Sequence, residues 1–231
     1  MAPPVELPPP PEHPELPPEV HIAGEEELFW PAEGVTIQSL GVLPAGADRV
    51  VIICHPHPLY GGTMHNAVVV VLAKALAEGG AKRVGWLRFN YRGVGKSGGR
   101  YDAGKAEVFD AKGALAQVRG RLPRAKISLI GYSFGTGVAY RAAAADGGVD
   151  RITLIAPSLR MTRIDSAPFA GPVQMIAAGR DQFATPEETN ELAERLHAEL
   201  SVLPEAEHYF IRFRREVARL VIPFAAPELS Q

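Results

Sequence analysis

The sequence predicts an α/β domain built on a mostly parallel sheet covered by helices, and three observations carry that prediction. From Glu25 onward, short apolar runs of strand character alternate with longer amphipathic runs of helical spacing. The chain has 231 residues, 46% hydrophobic and 22% charged, which is enough to bury the core of one large domain. In "LIGYSFGTGVAY", Leu129 to Tyr140, a serine walled by glycines stands where a strand run gives way to a helix run.

The first eighteen residues contain nine prolines and almost no apolar periodicity, so residues 1–23 are expected to form an extended, solvated proline-rich tail, with the domain spanning 24–231. Such a tail either serves as a ligand for a proline-recognition domain or is an idle extension, and the idle reading is the simpler one. Strands are predicted at Val35–Val42 and Arg49–Cys54, followed by a helix over Met64–Glu78. A strand at Arg83–Phe89 and a helix at Lys105–Arg121 come next. The strand Lys126–Gly131 feeds the glycine-walled turn and a helix at Gly135–Ala145. Strands at Arg151–Ile155 and Val173–Ala178, a helix at Pro186–Ala198, a strand at Glu199–Leu203 and a helix at Arg212–Val221 complete the series. In an open sheet of this kind, ligands meet the loops at the carboxyl ends of the strands.

Several function classes are disfavoured. A net charge of −2 supplies no basic face for nucleic acid or an acidic membrane. The longest apolar run, Ala67–Ala77, is broken by Lys74 and is too short to span a bilayer. The N-terminus has neither the basic nor the apolar region of a secretory signal, and the single cysteine, Cys54, allows no internal disulfide. A cytoplasmic location is therefore expected.

"GYSFG" satisfies G-x-S-x-G in the strand–turn–helix context that gives this pattern meaning. The sharp turn strains the serine backbone, and the flanking glycines let strand and helix approach. A serine hydroxyl is a weak nucleophile at neutral pH and needs a histidine base oriented by a carboxylate. Asp181, after the strand Val173–Ala178, and His208, after the strand ending at Leu203, follow Ser133 in that order at the correct sheet edge. Asp150 lies at the opposite edge. Glu205 and Glu207 are rival acids, too close to His208 in sequence to meet its ring from behind. The oxyanion hole is expected to use the backbone amides of Phe134 and of His57 in "HPHPLYGGTMHN", because Pro56 and Pro58 have no N–H; Leu59 is the next choice.

Together, "HPHPLYGGTMHN", "RFNYRGVGKSGG" and "GYSFG", with the loops holding Asp181 and His208, make the chain resemble the α/β-hydrolase superfamily from about residue 25 to 225. Within it the chain is similar to small cap-less serine hydrolases near the dienelactone-hydrolase group. The resemblance implies a sheet of about eight strands, a Ser-His-Asp triad, hydrolysis of an ester or related acyl bond and no cofactor. Dienelactone hydrolases use cysteine where Ser133 stands here. Only Ala156 to Gly171 separate two predicted strands at the point where larger relatives insert a lid, so no lid is expected and short-chain or small soluble esters should be preferred.

Two alternatives compete. His55, His57 and His65 could begin a zinc site in a metal-dependent hydrolase, although prolines stiffen the pair and no acidic ligand follows. The fold could also serve as a non-catalytic binding module. "GVGKSG", Gly93 to Gly98, imitates a dinucleotide fingerprint but lacks the acidic residue that completes one, and reads instead as a turn. Cys54 and the adjacent His55 should face opposite sides of their strand, which excludes a thiol dyad.

Overall fold

The computed structural model describes residues 9–12, 14–80, 83–158, 160–161, 164 and 168–230. Eight strands form one sheet: β1 (Glu26–Ala32), β2 (Val35–Val42), β3 (Arg49–Cys54), β4 (Val84–Phe89), β5 (Lys126–Tyr132), β6 (Arg151–Ile155), β7 (Val173–Ala178) and β8 (Glu199–Leu203). Their order is β1-β2-β4-β3-β5-β6-β7-β8. β2 runs antiparallel to both of its neighbours, and every other pairing is parallel. Five helices cover the sheet: α1 (Ala67–Glu78), α2 (Glu107–Arg121), α3 (Phe134–Ala144), α4 (Pro186–Leu196) and α5 (Arg214–Ala225).

Alternation along the central strands explains the two layers. Val50, Ile52 and Cys54 of β3 join the core beneath α2 and α3, whereas Val51 and Ile53 join the core beneath α1 and α5. Both faces are apolar, which is why the parallel strands read as continuous hydrophobic runs. Among the described residues, no helix is long and apolar enough to cross a membrane.

Three differences from expectation have identifiable reasons. β1 carries Pro31, which argues against a central strand, and it occupies the sheet edge, where a missing N–H is tolerated. α5 continues past Val221 through Pro223, and the carbonyls of its last turn are taken up by Arg151 (from Phe224, 2.9 Å) and Ser128 (from Ala225, 2.7 Å).

The third difference lies in the proline-rich segment, whose residues 1–8 fall outside the described residues. The expectation of an unpacked tail through residue 23 is corrected at residues 20–22. The Val20 N–H donates to His65 Nδ1 (3.0 Å), and the Val20 carbonyl accepts from Arg88 (2.6 Å). Ile22 is buried against the α1/α5 layer. Arg88 is itself fully buried, paired with Glu25 and bonded to the Met64 carbonyl (2.8 Å). Further back, the Glu15 carbonyl crosses Gly61 so closely that a Cβ there would sit 2.6 Å from it. Sequence periodicity could not reveal this docking because backbone groups make most of it. Deletion of residues 1–12 is expected to leave the melting temperature within about 2 °C. Deletion of 1–22 removes the Ile22 burial, worth roughly 2 kcal/mol, and should lower it by about 5 °C or more. Equal melting temperatures for the two truncations would contradict the docking.

Candidate active site

The crevice outside the carboxyl ends of β3 and β5 lies where chain connections leave in opposite directions, with Cys54 paired to Gly131 at the strand ends. Ser133 sits just beyond, at φ 53° and ψ −118°, a conformation unfavourable for a residue with a side chain. Its surroundings hold it there. The Ser133 N–H donates to the Ile155 carbonyl (2.8 Å), and the Ser133 carbonyl accepts from the Thr136 N–H (3.0 Å) and hydroxyl (2.6 Å). The flanking glycines permit the close approach: a Cβ at Gly131 would lie 2.4 Å from the Gly135 carbonyl oxygen, and one at Gly135 would lie 2.5 Å from that of Cys54.

The structure brings Ser133, His208 and Asp181 together. His208 Nε2 lies 2.9 Å from Ser133 Oγ, and His208 Nδ1 lies 2.8 Å from Asp181 Oδ2. All three are nearly inaccessible to solvent. The other oxygen of Asp181 accepts from the Phe183 N–H (2.8 Å), which fixes the carboxylate plane. With Nδ1–H directed at the carboxylate, Nε2 presents its lone pair to the serine hydroxyl. The rival acids are engaged elsewhere. Glu207 accepts from the amides of Tyr209 (2.8 Å) and Ile211 (2.7 Å), Glu205 pairs with Arg180, and Asp150 pairs with Arg49 and Arg151.

Phe134 opens α3, so its amide is one of the free N–H groups at a helix start, and the Ser133 amide is already taken by Ile155. His57 lies across the cavity on the loop after β3. Among the described residues, neither the Phe134 nor the His57 amide donates to another group. The His57 ring packs within 4.9 Å of Phe134 and 5.0 Å of Tyr101, centroid to centroid. Its Nδ1 accepts from the Leu59 N–H (3.2 Å), and its Nε2 meets the Tyr101 hydroxyl (2.9 Å).

The three histidines of the proposed zinc alternative do not converge, and no group of potential metal ligands forms among the described residues. Both nitrogens of His55 are occupied, one by the Pro56 carbonyl (2.7 Å) and one by the Tyr91 N–H (3.1 Å); those of His57 are committed as above, and His65 holds Val20. Burial pushes His55 down to about 3 and His57 down to about 4, so both rings are neutral at neutral pH. Cys54 is buried with its thiol pushed up to about 12, chiefly by desolvation, which makes it inert. The glycine-rich loop Gly93–Gly98 braces β2: Gly98 N–H donates to the Thr36 carbonyl (2.8 Å), Ser97 Oγ accepts from Gln38, and Lys96 pairs with Glu27.

The cavity over Ser133 measures about 110 Å³. Sequence reasoning missed several of its walls. Met161 Sδ lies 3.8 Å from Ser133 Oγ, Phe183 packs edge-on to His208 at 4.6 Å, and Tyr209 closes the rim. Tyr132, the motif residue before Ser133, lines the cavity and donates its hydroxyl to the His208 carbonyl (3.0 Å). Phe183 and Tyr209 were signalled by adjacency to Asp181 and His208, and nothing in the sequence signalled Met161. A larger groove of about 830 Å³ runs between α1 and α5, but neither Ser133 nor His208 lines it.

This sheet order, with a serine on a strained strand-to-helix turn and no helix or strand among the described residues between β6 and β7, defines a lidless α/β serine hydrolase. Comparison with known proteins agrees. The family described as serine aminopeptidase S33 matches residues 45–171, and the chain belongs to this family of α/β hydrolases. It is 30% identical to an uncharacterised protein of Rickettsia prowazekii over 179 residues, 72% of this chain and 74% of that one. It superposes on an α/β serine hydrolase homologue from Coxiella burnetii with a TM-score of 0.76 at 31% identity, covering 90% of this chain and 100% of the other. An α/β serine hydrolase without a lid from Xanthomonas campestris gives a TM-score of 0.77 at 28% identity over 91% of this chain and 97% of that one.

Proposed function

We propose that the protein is a serine esterase that cleaves small, neutral carboxylic esters through an acyl-enzyme. The observation that carries this reading is the continuous hydrogen-bonded line from Ser133 Oγ through His208 to Asp181. His208 Nε2 takes the hydroxyl proton as Ser133 Oγ attacks the ester carbonyl, and Asp181 stabilises the imidazolium that forms. The negative charge on the carbonyl oxygen is received by the amides of Phe134 and His57. The imidazolium then returns the proton to the departing alkoxide. Water, deprotonated by the same nitrogen, attacks the acyl carbonyl, and the collapse restores Ser133 and releases the acid.

Pocket chemistry favours an ester over a peptide N-terminus. An aminopeptidase must receive a free ammonium group, which calls for a carboxylate in the pocket. Among the described lining residues there is none, and both oxygens of Asp181 are already occupied. Size favours a short acyl group, because the cavity over Ser133 is small, about 110 Å³.

A fluorophosphonate probe tests the mechanism. Rapid stoichiometric labelling of Ser133, insensitive to EDTA, is expected; an unlabelled protein would indicate a binding module, and activity abolished by EDTA and restored by zinc would indicate the histidines. In a p-nitrophenyl series, kcat/KM should peak at acetyl to butyryl. A steady rise to dodecanoyl, with activation at lipid interfaces, would contradict the small pocket.

A further inference from the structure

Asn66 caps α1, and its Oδ1 accepts from the Val68 N–H at 3.0 Å. That bond fixes which way the side-chain amide faces, since exchanging its oxygen and nitrogen would set two N–H donors against each other. The backbone is held as firmly: the Asn66 N–H donates to the Thr63 carbonyl (3.0 Å), and the Asn66 carbonyl accepts from the Val70 N–H (2.9 Å). Asn66 lines the same cavity as Ser133 and His208, yet its Nδ2 meets no acceptor among the described residues.

Other polar side chains around the cavity are spent. Both nitrogens of His57 and of His208 are engaged, and the Tyr132 hydroxyl is given to the His208 carbonyl. Tyr209 is half exposed at the rim, where its side chain meets solvent. Asn66 Nδ2 is thus a preoriented donor on the wall of the small cavity that also holds Ser133. The donor is neutral and no described Lys or Arg lines the cavity, so its partner is a neutral oxygen; a carboxylate would be desolvated there without a cation.

We propose that Asn66 binds an ether, hydroxyl or keto oxygen of the substrate, and that the esters taken by this site carry such an oxygen two to four bonds from the scissile carbonyl carbon. The oxygen can belong to the acyl or to the alcohol half; the chemistry is shared, and the experiment separates the two. This assignment rests on Ser133 being the nucleophile. A site built to donate a hydrogen bond rejects an analogue lacking the acceptor, because the donor is then left without a partner.

Isosteric pairs provide the test: p-nitrophenyl methoxyacetate against p-nitrophenyl butyrate for the acyl half, and 2-methoxyethyl acetate against butyl acetate for the alcohol half. Each kcat/KM is divided by the rate of hydroxide hydrolysis. In at least one pair the full-length protein is expected to favour the oxygenated ester by about tenfold. Asn66→Asp keeps the cap and loses the donor; Asn66→Ala loses both. Both variants should erase that preference, while only Asn66→Ala should lower the melting temperature. A preference unchanged in both variants, or equal losses on the oxygenated and alkyl esters of both pairs, overturns the assignment. Wild-type protein that neither reacts with a fluorophosphonate nor cleaves any of the four esters loses the esterase reading as well, whereas labelled protein with an unchanged preference loses only the role of Asn66.

Discussion

Ser133→Ala is expected to fold normally and to lose esterase activity by a factor of about 10⁴ or more, leaving the residual help of the oxyanion amides and substrate binding. Folding should survive because the contacts that hold residue 133 in place run through its backbone, to Ile155 and Thr136, and alanine tolerates a positive φ no worse than serine does. Among the described residues the hydroxyl itself reaches His208 and Met161. The measurement is kcat on p-nitrophenyl acetate beside a thermal melt. Retention of more than about a tenth of the wild-type rate, far outside the range of triad knockouts, would falsify the serine mechanism.

The second large effect is expected at Asp181, and the structure gives it a specific cause. One carboxylate oxygen accepts from the Phe183 N–H and the other from His208 Nδ1–H. In Asp181→Asn the Phe183 amide still demands an oxygen, so the new NH₂ group is turned toward His208. Nδ1 must then accept, the proton moves to Nε2, and the imidazole faces Ser133 with a donor where a base is needed. A loss in kcat of about a thousandfold or more follows, with KM little changed. Glu207→Gln should cost little, because among the described residues the Glu207 carboxylate holds the amides of Tyr209 and Ile211 in its own turn. If the two variants exchange these outcomes, Glu207 is the acid; if neither lowers kcat, His208 works without a carboxylate.

Much of this site was legible before any coordinates. The strained serine announces itself, because few other contexts place G-x-S-x-G between a strand and a helix. Asp181 and His208 follow from chain order and from the rule that function collects at one edge of a parallel sheet. The histidines after β3 show the limit of that reasoning. Their spacing fits a metal site as well as a loop, and only the partners of each ring nitrogen decide the matter: Pro56 and Tyr91 for His55, Leu59 and Tyr101 for His57, Val20 for His65.

The sequence by itself determined the layered α/β architecture, the seven strands from β2 to β8 and the choice of Ser133, Asp181 and His208, which the structure brings together, because hydrophobic period and strand-end position are local signals. Tertiary structure alone decided what the rest of the chain contributes. The proline-rich segment docks through Val20 carbonyl and amide groups, which every residue but proline possesses and which no pattern of side chains encodes. The edge strand with Pro31 is a strand because a partner is present on one side only. Met161, Phe183, Tyr209 and Asn66 meet over Ser133 from four separate loops, and their shared cavity exists only once the sheet has brought those loops to one edge.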